Sequence, residues 1–247
     1  MSEPRLSVVI PAFNEALRLP ATLERIRAHL EARGAPFEIL VVDDGSTDGT
    51  ADTARAASGP VELLRHAANR GKGHAVRAGM LAARGARRLM TDADLSTPIE
   101  ELARLEAALE RGYDVAIGSR AVAGARIEVH QSAYRETVGR LFNRLVQALL
   151  LPGLHDTQCG FKLFTAAAAA TAFGACRQDG FSFDVEALYV ARRHGLRIAE
   201  LPVVWRNDAA TRVGLAGGAT AFVDLLRIRL AAARGRYGPP LAGSRPT

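Results

Sequence analysis

The sequence predicts an α/β protein with an open, mostly parallel β-sheet that is flanked by helices. Three observations predict this class: short continuous apolar runs, helical patterns between those runs, and short connecting segments. Continuous apolar runs are typical of parallel strands that helices cover on both faces. Because strands and helices alternate along roughly the first 120 residues, we expect right-handed crossovers within one sheet.

Four segments have the apolar, β-branched character of buried strands. They are LSVVI (6–10), which we expect to stop at Pro11, FEILVVDD (37–44), ARRLMTD (86–92) and DVAIGS (114–119). Helical patterns that end in a glycine occupy residues 19–34 and 73–85. Two later segments, residues 136–153 and 217–238, predict helices with apolar residues on one face and arginines on the other.

The length and composition indicate one domain. A chain of 247 residues that is 48% hydrophobic and 23% charged is large enough to bury a single sizeable core. We expect this domain to span residues 1–238 and residues 239–247 to form a disordered tail.

Charge and cysteine content restrict the partners and the compartment. The formal net charge of +6 favours an acidic partner such as a nucleotide or a phosphorylated lipid, and the dispersed basic residues predict no nucleic-acid partner. Cys159 and Cys176 match neither a disulfide framework nor a zinc pattern, and no segment has the features of a signal peptide or a membrane span. We expect a cytoplasmic protein. Its basic amphipathic helices either pack on the sheet or lie peripherally on a membrane.

Polar segments follow four of the predicted strands. They are PAFNEA, DDGSTDGT, DADLSTP and GSRAVAG. In open parallel sheets ligands bind outside the carboxyl ends of the strands, so these segments should converge on one pocket. For DDGSTDGT, ordinary turn and helix-capping chemistry is an equally good interpretation.

Two carboxylates, Asp92 and Asp94, directly follow the apolar run of ARRLMTD, and such crowding needs a compensating positive group. Neither standard phosphate cradle supplies it. In NRGKGHA, Gly73 follows Lys72 where a P-loop needs Ser or Thr, and Val76 stands where a dinucleotide fingerprint needs glycine or alanine. Two interpretations remain. The carboxylates either form a solvated turn or hold a divalent cation, Mg2+ or Mn2+, that bridges them to a nucleotide diphosphate.

The motifs together resemble a known family. SVVIPAFNE, VVDDGSTDGT, NRGKGHAVRAG, DADLSTP and GSR occur in the order and spacing of family-2 glycosyltransferases, which have the GT-A nucleotide-diphospho-sugar transferase fold. DTQCGFKLF (156–164) and FSFDVEALY (181–189) are similar to the branch that transfers a hexose to polyprenyl or dolichyl phosphate. The resemblance covers roughly residues 5 to 230.

This resemblance implies a set of residues that bind the nucleotide sugar. They are Pro11, Phe13, Glu15, Val42, Asp44, Lys72, Asp92 and Asp94. Asp94 and Asp92 would hold the metal, with Asp94 the main ligand, and Asp44 would accept a hydrogen bond from the base. Uracil and guanine both offer a donor there, so Asp44 does not choose between them. Two departures are Phe13, where relatives often have tyrosine, and Ser96, where mannosyltransferases often have a glutamine ligand.

The resemblance also implies that arginines hold an acceptor phosphate. They are Arg120, Arg135 and Arg212, and the catalytic residues would be Asp94, Arg120 and Arg135. A phosphate monoester is largely dianionic at neutral pH, so it attacks without a general base. The alternative acceptor, a sugar hydroxyl, would need one.

The sequence leaves a short set of functions. We expect inverting transfer of one hexose, glucose from UDP-glucose, to a polyprenyl phosphate at a membrane surface. The alternatives are transfer from GDP-mannose, transfer to a sugar hydroxyl with Asp184 or Glu186 as the base, and a non-catalytic module that binds a nucleotide sugar or a lipid phosphate.

Overall fold

The computed structural model of the chain describes residues 3–130, 132–207 and 215–238, with the backbone alone for Ala133, Arg135 and residues 215–219. Within this part the main sheet has seven strands: β1 Leu6–Ala12, β2 Phe37–Asp43, β3 Val61–Arg65, β4 Arg87–Thr91, β5 Val115–Ser119, β7 Phe161–Thr165 and β8 Ile198–Pro202. A small second sheet pairs β6 Arg126–Val129 with β9 Val204–Arg206.

The helices flank the main sheet. They are α1 Leu19–Ala32, α2 Thr50–Ala56, α3 Lys72–Ala82, α4 Leu102–Glu110, α5 Ala133–Leu149, α6 Ala166–Ala175, α7 Phe183–Arg193 and α8 Leu215–Ala233. A short 3-10 turn, Ile99–Glu101, leads into α4. All four predicted strands and all four predicted helices are present, with ends that differ by a few residues. No helix in the described part is long and apolar enough to cross a membrane.

The strand order is β3-β2-β1-β4-β7-β5-β8. All neighbours pair in parallel except β7, which runs antiparallel to both β4 and β5. We expected one parallel sheet from roughly the first 120 residues, and this holds for β1 to β4. A strand from much later in the chain, β7, lies between β4 and β5, so its first residue meets the carboxyl ends of both.

Residues of the central strands point alternately to two hydrophobic layers. Val8 and Ile10 pack in the layer that contains residues of α1 and α4, whereas Val9 and Met90 pack in the layer with α3, α6 and α7. All four side chains are buried. Burial on both faces explains why the sequence shows continuous apolar runs instead of an alternating pattern.

The expected stop at Pro11 is wrong, because β1 continues to Ala12. The pairing of β1 with β4 ends at Val9, whereas its pairing with β2 continues through Pro11 and Ala12. Pro11 therefore lies where β1 has a neighbour on one side only. A proline is tolerated at such an edge, because the missing N–H has no partner to lose.

Candidate active site

The carboxyl ends of β1, β2, β4 and β5 lie on the same edge of the sheet, and antiparallel β7 begins there. The prediction that the four polar segments converge is therefore confirmed. A small cleft at this edge is lined by Thr91, Asp92, Ser96, Thr97, Gly160 and Trp205.

The loops after β1 and β2 hold each other in place. Ser46 Oγ accepts the Asn14 N–H at 2.9 Å, and Thr50 Oγ1 accepts the Glu15 N–H at 2.8 Å. Asn14 Oδ1 in turn accepts the Thr47 N–H at 2.9 Å. Much of DDGSTDGT therefore performs the turn and loop chemistry that was its alternative interpretation.

Asp44 organises the segment that leads into α3. Its carboxylate accepts the backbone N–H groups of Arg70, at 3.1 Å to each oxygen, and of Gly71 at 2.8 Å. His66 Nδ1 lies 2.8 Å from the same carboxylate. Both oxygens of this buried side chain are thus engaged by the chain itself. The contact between Asp44 and a nucleobase stays a prediction.

The other residues that were predicted to bind the nucleotide sugar differ in how accessible they are to a ligand. Phe13 is 42% exposed at the edge of the sheet, and Glu15 is ion-paired with Arg18 at 2.7 Å. Pro11 is a partly exposed residue of β1. The Val42 side chain is fully buried against α3, so only its backbone could contact a ligand.

Asp92 and Asp94 differ in their surroundings. Asp92 Oδ1 lies 2.6 Å from Lys72 Nζ, and the two side chains are 30% and 27% exposed. Asp94 Oδ1 accepts the Ser96 N–H at 2.9 Å. Burial and the neighbouring charge of Asp92 raise the pKa of Asp94 above its ordinary value. A cation at Asp94 would relieve both effects, and carboxylate oxygens are suitable ligands for Mg2+ or Mn2+.

Two carboxylates alone do not complete a metal site. In the described residues, no three His, Cys, Asp or Glu side chains are grouped to hold an ion. A cation at Asp94 and Asp92 would therefore take its other ligands from substrate oxygens and water, as Mg2+ commonly does beside phosphates.

Gly160, just before β7, packs directly on Asp92. A Cβ atom built on Gly160 would lie 1.9 Å from Asp92 Oδ2 and 2.5 Å from its Cγ. Only glycine leaves room for the carboxylate at this position. DTQCGFKLF carries the resemblance to the lipid-phosphate branch of the family, and the structure shows that its glycine also shapes the carboxylate pair.

Arg120 follows β5 and is held by Asp156. Its Nε donates to Asp156 Oδ2 at 2.7 Å and its Nη2 donates to Oδ1 at 2.9 Å. The guanidinium lies over the ring of Trp205, 5.2 Å from the centroid. Burial acts to lower the pKa of Arg120, but the Asp156 carboxylate raises it above the ordinary value, so the cation is permanent. No pattern in the sequence predicted that Trp205 lies at this position.

The other two acceptor arginines cannot be placed equally well. Arg135 lies in the first turn of α5, and only its backbone is described. Arg212 lies outside the described residues. Their roles stay predictions.

Asp184 and Glu186, the alternative general bases, are both buried and engaged. Asp184 Oδ1 is 2.5 Å from Lys162 Nζ. Glu186 Oε2 accepts the N–H groups of Arg177 and Gln178 at 2.7 Å each, and its Oε1 accepts the Tyr237 hydroxyl at 2.7 Å. Glu186 has no exposed surface, so it holds the fold together and is not placed to accept a proton from a substrate.

Comparison with known proteins points to one family. The sequence profile described as Glycosyl transferase family 2 matches residues 7–173. Human dolichyl-phosphate beta-glucosyltransferase is 36% identical over 243 residues, which cover 92% of this chain and 75% of the human protein. The Saccharomyces cerevisiae protein of the same name is 34% identical over 254 residues, with 94% and 76% covered.

Solved structures agree on the fold. Glucosyl-3-phosphoglycerate synthase from Mycobacterium tuberculosis, crystallised with Mn2+, UDP-glucose and phosphoglyceric acid, aligns with a TM-score of 0.68 at 19% identity and covers 98% of this chain and 82% of that one. Mannosyl-3-phosphoglycerate synthase from Rubrobacter xylanophilus aligns with a TM-score of 0.70 at 20% identity, with 98% and 77% covered. At this identity the likeness shows the GT-A fold alone.

Proposed function

The chain belongs to glycosyl transferase family 2 and is a glycosyltransferase, and we propose that it moves one glucose from UDP-glucose to a polyprenyl phosphate of the dolichyl type. The observation that carries the proposal is the meeting of Asp92 and Asp94 with Arg120 and Lys72 at one edge of the sheet. The leaving group and the acceptor of this reaction are both anions. They need a site in which carboxylates that can hold a cation lie beside positively charged side chains. The curated relatives named for this activity match nearly the whole chain.

On the donor side, Asp94 and Asp92 would hold Mg2+ or Mn2+. When bound, the cation neutralises charge that grows on the departing diphosphate. Lys72 and Arg120 supply fixed positive charge beside the same carboxylates. Groups that are oriented before the reaction stabilise the transition state without reorganising, and this is where most of the catalytic effect of such sites arises.

On the acceptor side, the chemistry needs cations and no base. The dianionic phosphate is already a nucleophile near neutral pH. Arg120 is held in place by Asp156, and Arg135 lies in the first turn of α5, the helix that follows β6. The engagement of Asp184 and Glu186 inside the protein favours a phosphate over a sugar hydroxyl as the acceptor.

We further propose that the protein binds peripherally to the cytoplasmic face of a membrane through α5 and α8. The two helices pack together, with the rings of Phe142 and Phe222 edge to face at 5.4 Å. Each leaves large apolar side chains and arginines exposed: Tyr134, Arg140, Leu141 and Arg144 on α5, and Val223, Leu226, Arg227, Arg229 and Leu230 on α8. Asp224, which is acidic, is buried and bonded to Ser182. Exposed leucines beside arginines suit an interface of anionic lipids.

The activity is tested with dolichyl phosphate in detergent micelles, Mn2+ and either UDP-glucose or GDP-mannose. We expect a glucosylated lipid and one UDP released for each product, with no release when the lipid is omitted. Faster turnover of GDP-mannose would assign the mannosyl donor instead. Binding of UDP-glucose without turnover of any donor would support the non-catalytic module.

Membrane attachment is tested by sedimentation with vesicles of neutral or anionic phospholipid. We expect binding to anionic vesicles that weakens with salt, because the attraction is screened. Leu226→Ser with Leu230→Ser should weaken it further. Leu81→Ser, an exposed leucine on α3, is the matched control and should have no effect. Equal sedimentation of all variants would assign the apolar surface of α8 to another role.

A further inference from the structure

Lysine is almost absent from this protein. Of its 32 basic residues, only Lys72 and Lys162 are lysines, and every other one is an arginine. Lysine carries a compact point charge with three donors, whereas arginine carries a planar fork. Each lysine is ion-paired with a carboxylate, Lys72 with Asp92 at the active edge and Lys162 with the buried Asp184. Both pairs use the compact ammonium group.

Lys162 lies in the centre of the sheet. It is a residue of β7, opposite Met90 of β4 and Ile117 of β5, and its side chain is 2% exposed. Its ammonium group donates to Asp184 Oδ1 at 2.5 Å and to the Cys159 carbonyl at 2.6 Å. Lys162 thus ties the first turn of α7 to the segment that carries Gly160 against Asp92.

The first turns of α3 and α7 are in direct contact. A Cβ atom on Gly73 would lie 2.7 Å from Phe183 Cβ and 2.5 Å from the Gln178 carbonyl oxygen, so only glycine permits this approach. The Gly73 N–H also donates to the Asp179 carbonyl at 2.8 Å. Lys72 and Asp184 are the neighbours of this contact point, one on each helix.

The charges of this region alternate in sign. Lys72 forms an ion pair with Asp92 at 2.6 Å, and Lys162 forms one with Asp184 at 2.5 Å. Burial acts to lower the pKa of Lys72, but Asp92, Asp184 and Asp94 together raise it above its ordinary value. Because Lys72 and Asp184 are the chain neighbours of Gly73 and Phe183, the close approach of α3 and α7 places the two ion pairs next to each other.

We propose that Lys162 and Asp184 are positioning residues that hold Lys72 against Asp92. Four alternating charges then run from the centre of the sheet to its active edge, in the order Lys162, Asp184, Lys72 and Asp92. With Lys72 on Asp92, a bound Mg2+ or Mn2+ would take Asp94 as its main carboxylate ligand. In this arrangement Asp184 orients Lys72 and does not act as a general base.

The test uses the scarcity of lysine. An amine-reactive reagent at fixed pH labels only Lys72, Lys162 and the α-amino group of the full chain, and mass spectrometry gives each rate. In the native protein without metal or nucleotide, we expect Lys162 to resist labelling and Lys72 to react more slowly than the same lysine in the denatured chain at the same pH. Lys72 reacting equally fast in the native and denatured chains would overturn the proposal.

The decisive variant is Lys162→Met combined with Asp184→Leu. It removes both buried charges together, which is tolerated far better than removal of one. We expect labelling of Lys72 to become about fivefold faster, as for the loss of one partly exposed ion pair. Arg33→Met with Glu106→Leu removes an ion pair at the opposite edge of the sheet and should leave the rate unchanged. If the double variant does not fold, Lys162→Gln with Asp184→Asn, which also removes both charges but keeps a polar pair at the two positions, is measured in the same way.

A folded variant with a native labelling rate for Lys72 would show that the pair only stabilises the fold. A second measurement is UDP affinity with Mn2+ by calorimetry, which we expect to fall about tenfold in the double variant. This part rests on the proposed function, and the labelling does not. If native protein fails to bind UDP, the proposed donor is wrong, while the effect of Asp184 on Lys72 is still decided by labelling.

Discussion

Arg120 and Asp156 are joined by three hydrogen bonds. The Arg120 backbone N–H donates to Asp156 Oδ2 at 2.9 Å, in addition to the two bonds from its guanidinium group. The Asp156 side chain is almost fully buried, and the guanidinium lies over Trp205. The orientation of Arg120 is therefore set by the protein before any phosphate arrives, as electrostatic catalysis requires.

Asp156→Asn should weaken both stability and transfer. Removal of one partner of a buried ion pair leaves the other charge uncompensated, which costs about 3–5 kcal/mol of the free energy of unfolding. Denaturant unfolding measures this loss, with the exposed Asp52→Asn as a control that should be neutral. Transfer should fall while UDP affinity is retained. A variant of native stability would show that Asp156 does not fix Arg120.

The contribution of Asp156 should depend on pH. Burial acts to raise the pKa of Asp156, but Arg120 outweighs it and holds the pKa below the ordinary value. A carboxyl with a lowered folded pKa stabilises the protein fully above its unfolded pKa of about 3.9 and loses this contribution as pH falls. The stability difference between native protein and Asp156→Asn should therefore shrink as unfolding curves are measured below about pH 4. A difference that grows with acidity would contradict this.

Gly160→Ala should disturb the carboxylate pair. The added methyl group would overlap the Asp92 carboxylate, so Asp92 must leave the position in which it pairs with Lys72. We expect affinity for UDP with Mn2+, measured by calorimetry, to fall at least about tenfold. Gly174→Ala in α6 has open space around its added atom and should raise stability by about 0.5–1 kcal/mol without affecting UDP. Equal binding by both variants would place the nucleotide elsewhere.

Asp94→Asn should remove most of the metal dependence of UDP binding. Native protein should bind UDP more tightly with Mn2+ than with a chelator, because Asp94 would hold the cation, whose charge attracts the diphosphate. In the variant this gain should largely vanish, and transfer should fall by about 100-fold or more. Calorimetry with and without Mn2+ measures the gain. Metal-independent binding of UDP by the native protein would show that Asp92 and Asp94 form a solvated turn and hold no cation.

The sheet edge was predictable because its signals are local. Each apolar run ends in polar residues, and the carboxyl ends of parallel strands must meet on one edge, so the residues after β1, β2, β4 and β5 could be grouped from the sequence. What could not be predicted is the strand between β4 and β5, because its partners lie about 75 and 45 residues away along the chain. The position of Gly160 against Asp92 follows from that strand.

Buried polar pairs were the other unpredictable part. Lys162 and Asp184 are 22 residues apart and carry no spacing signal, yet they share one buried bond. Trp205 belongs to the short strand β9 and reaches Arg120 only through the folded chain. Conversely, DDGSTDGT looked equally suited to ligand binding and to turn formation, and the bonds of Ser46 and Thr50 show that much of it forms turns.

Glu186→Gln should cost stability without abolishing donor binding. The carboxylate accepts from two backbone N–H groups and from the Tyr237 hydroxyl, and an amide cannot accept from all three. We expect a loss of about 1–3 kcal/mol in denaturant unfolding. Tyr237→Phe, which removes only one bond, should cost about 1 kcal/mol. The transfer rate of a folded Glu186→Gln protein should stay near that of the native protein. Loss of transfer without loss of stability would instead indicate that Glu186 acts as a general base.

Arg135→Ala should separate the acceptor from the donor. Arg135 lies in the first turn of α5, which follows the nucleotide-binding half and carries exposed apolar residues that could meet a polyprenyl chain. A charge-assisted hydrogen bond to phosphate contributes about 1.5–3 kcal/mol, or one to two decades in rate if it forms only in the transition state. We expect UDP affinity to stay native while transfer to the lipid falls by this factor.

Arg135→Lys should restore part of the lost transfer rate, since charge remains but the bidentate fork is lost. Arg140→Ala, an exposed arginine of the same helix, is the matched control and should transfer at the native rate in micelles. Equal loss of UDP binding and transfer would instead place Arg135 at the diphosphate.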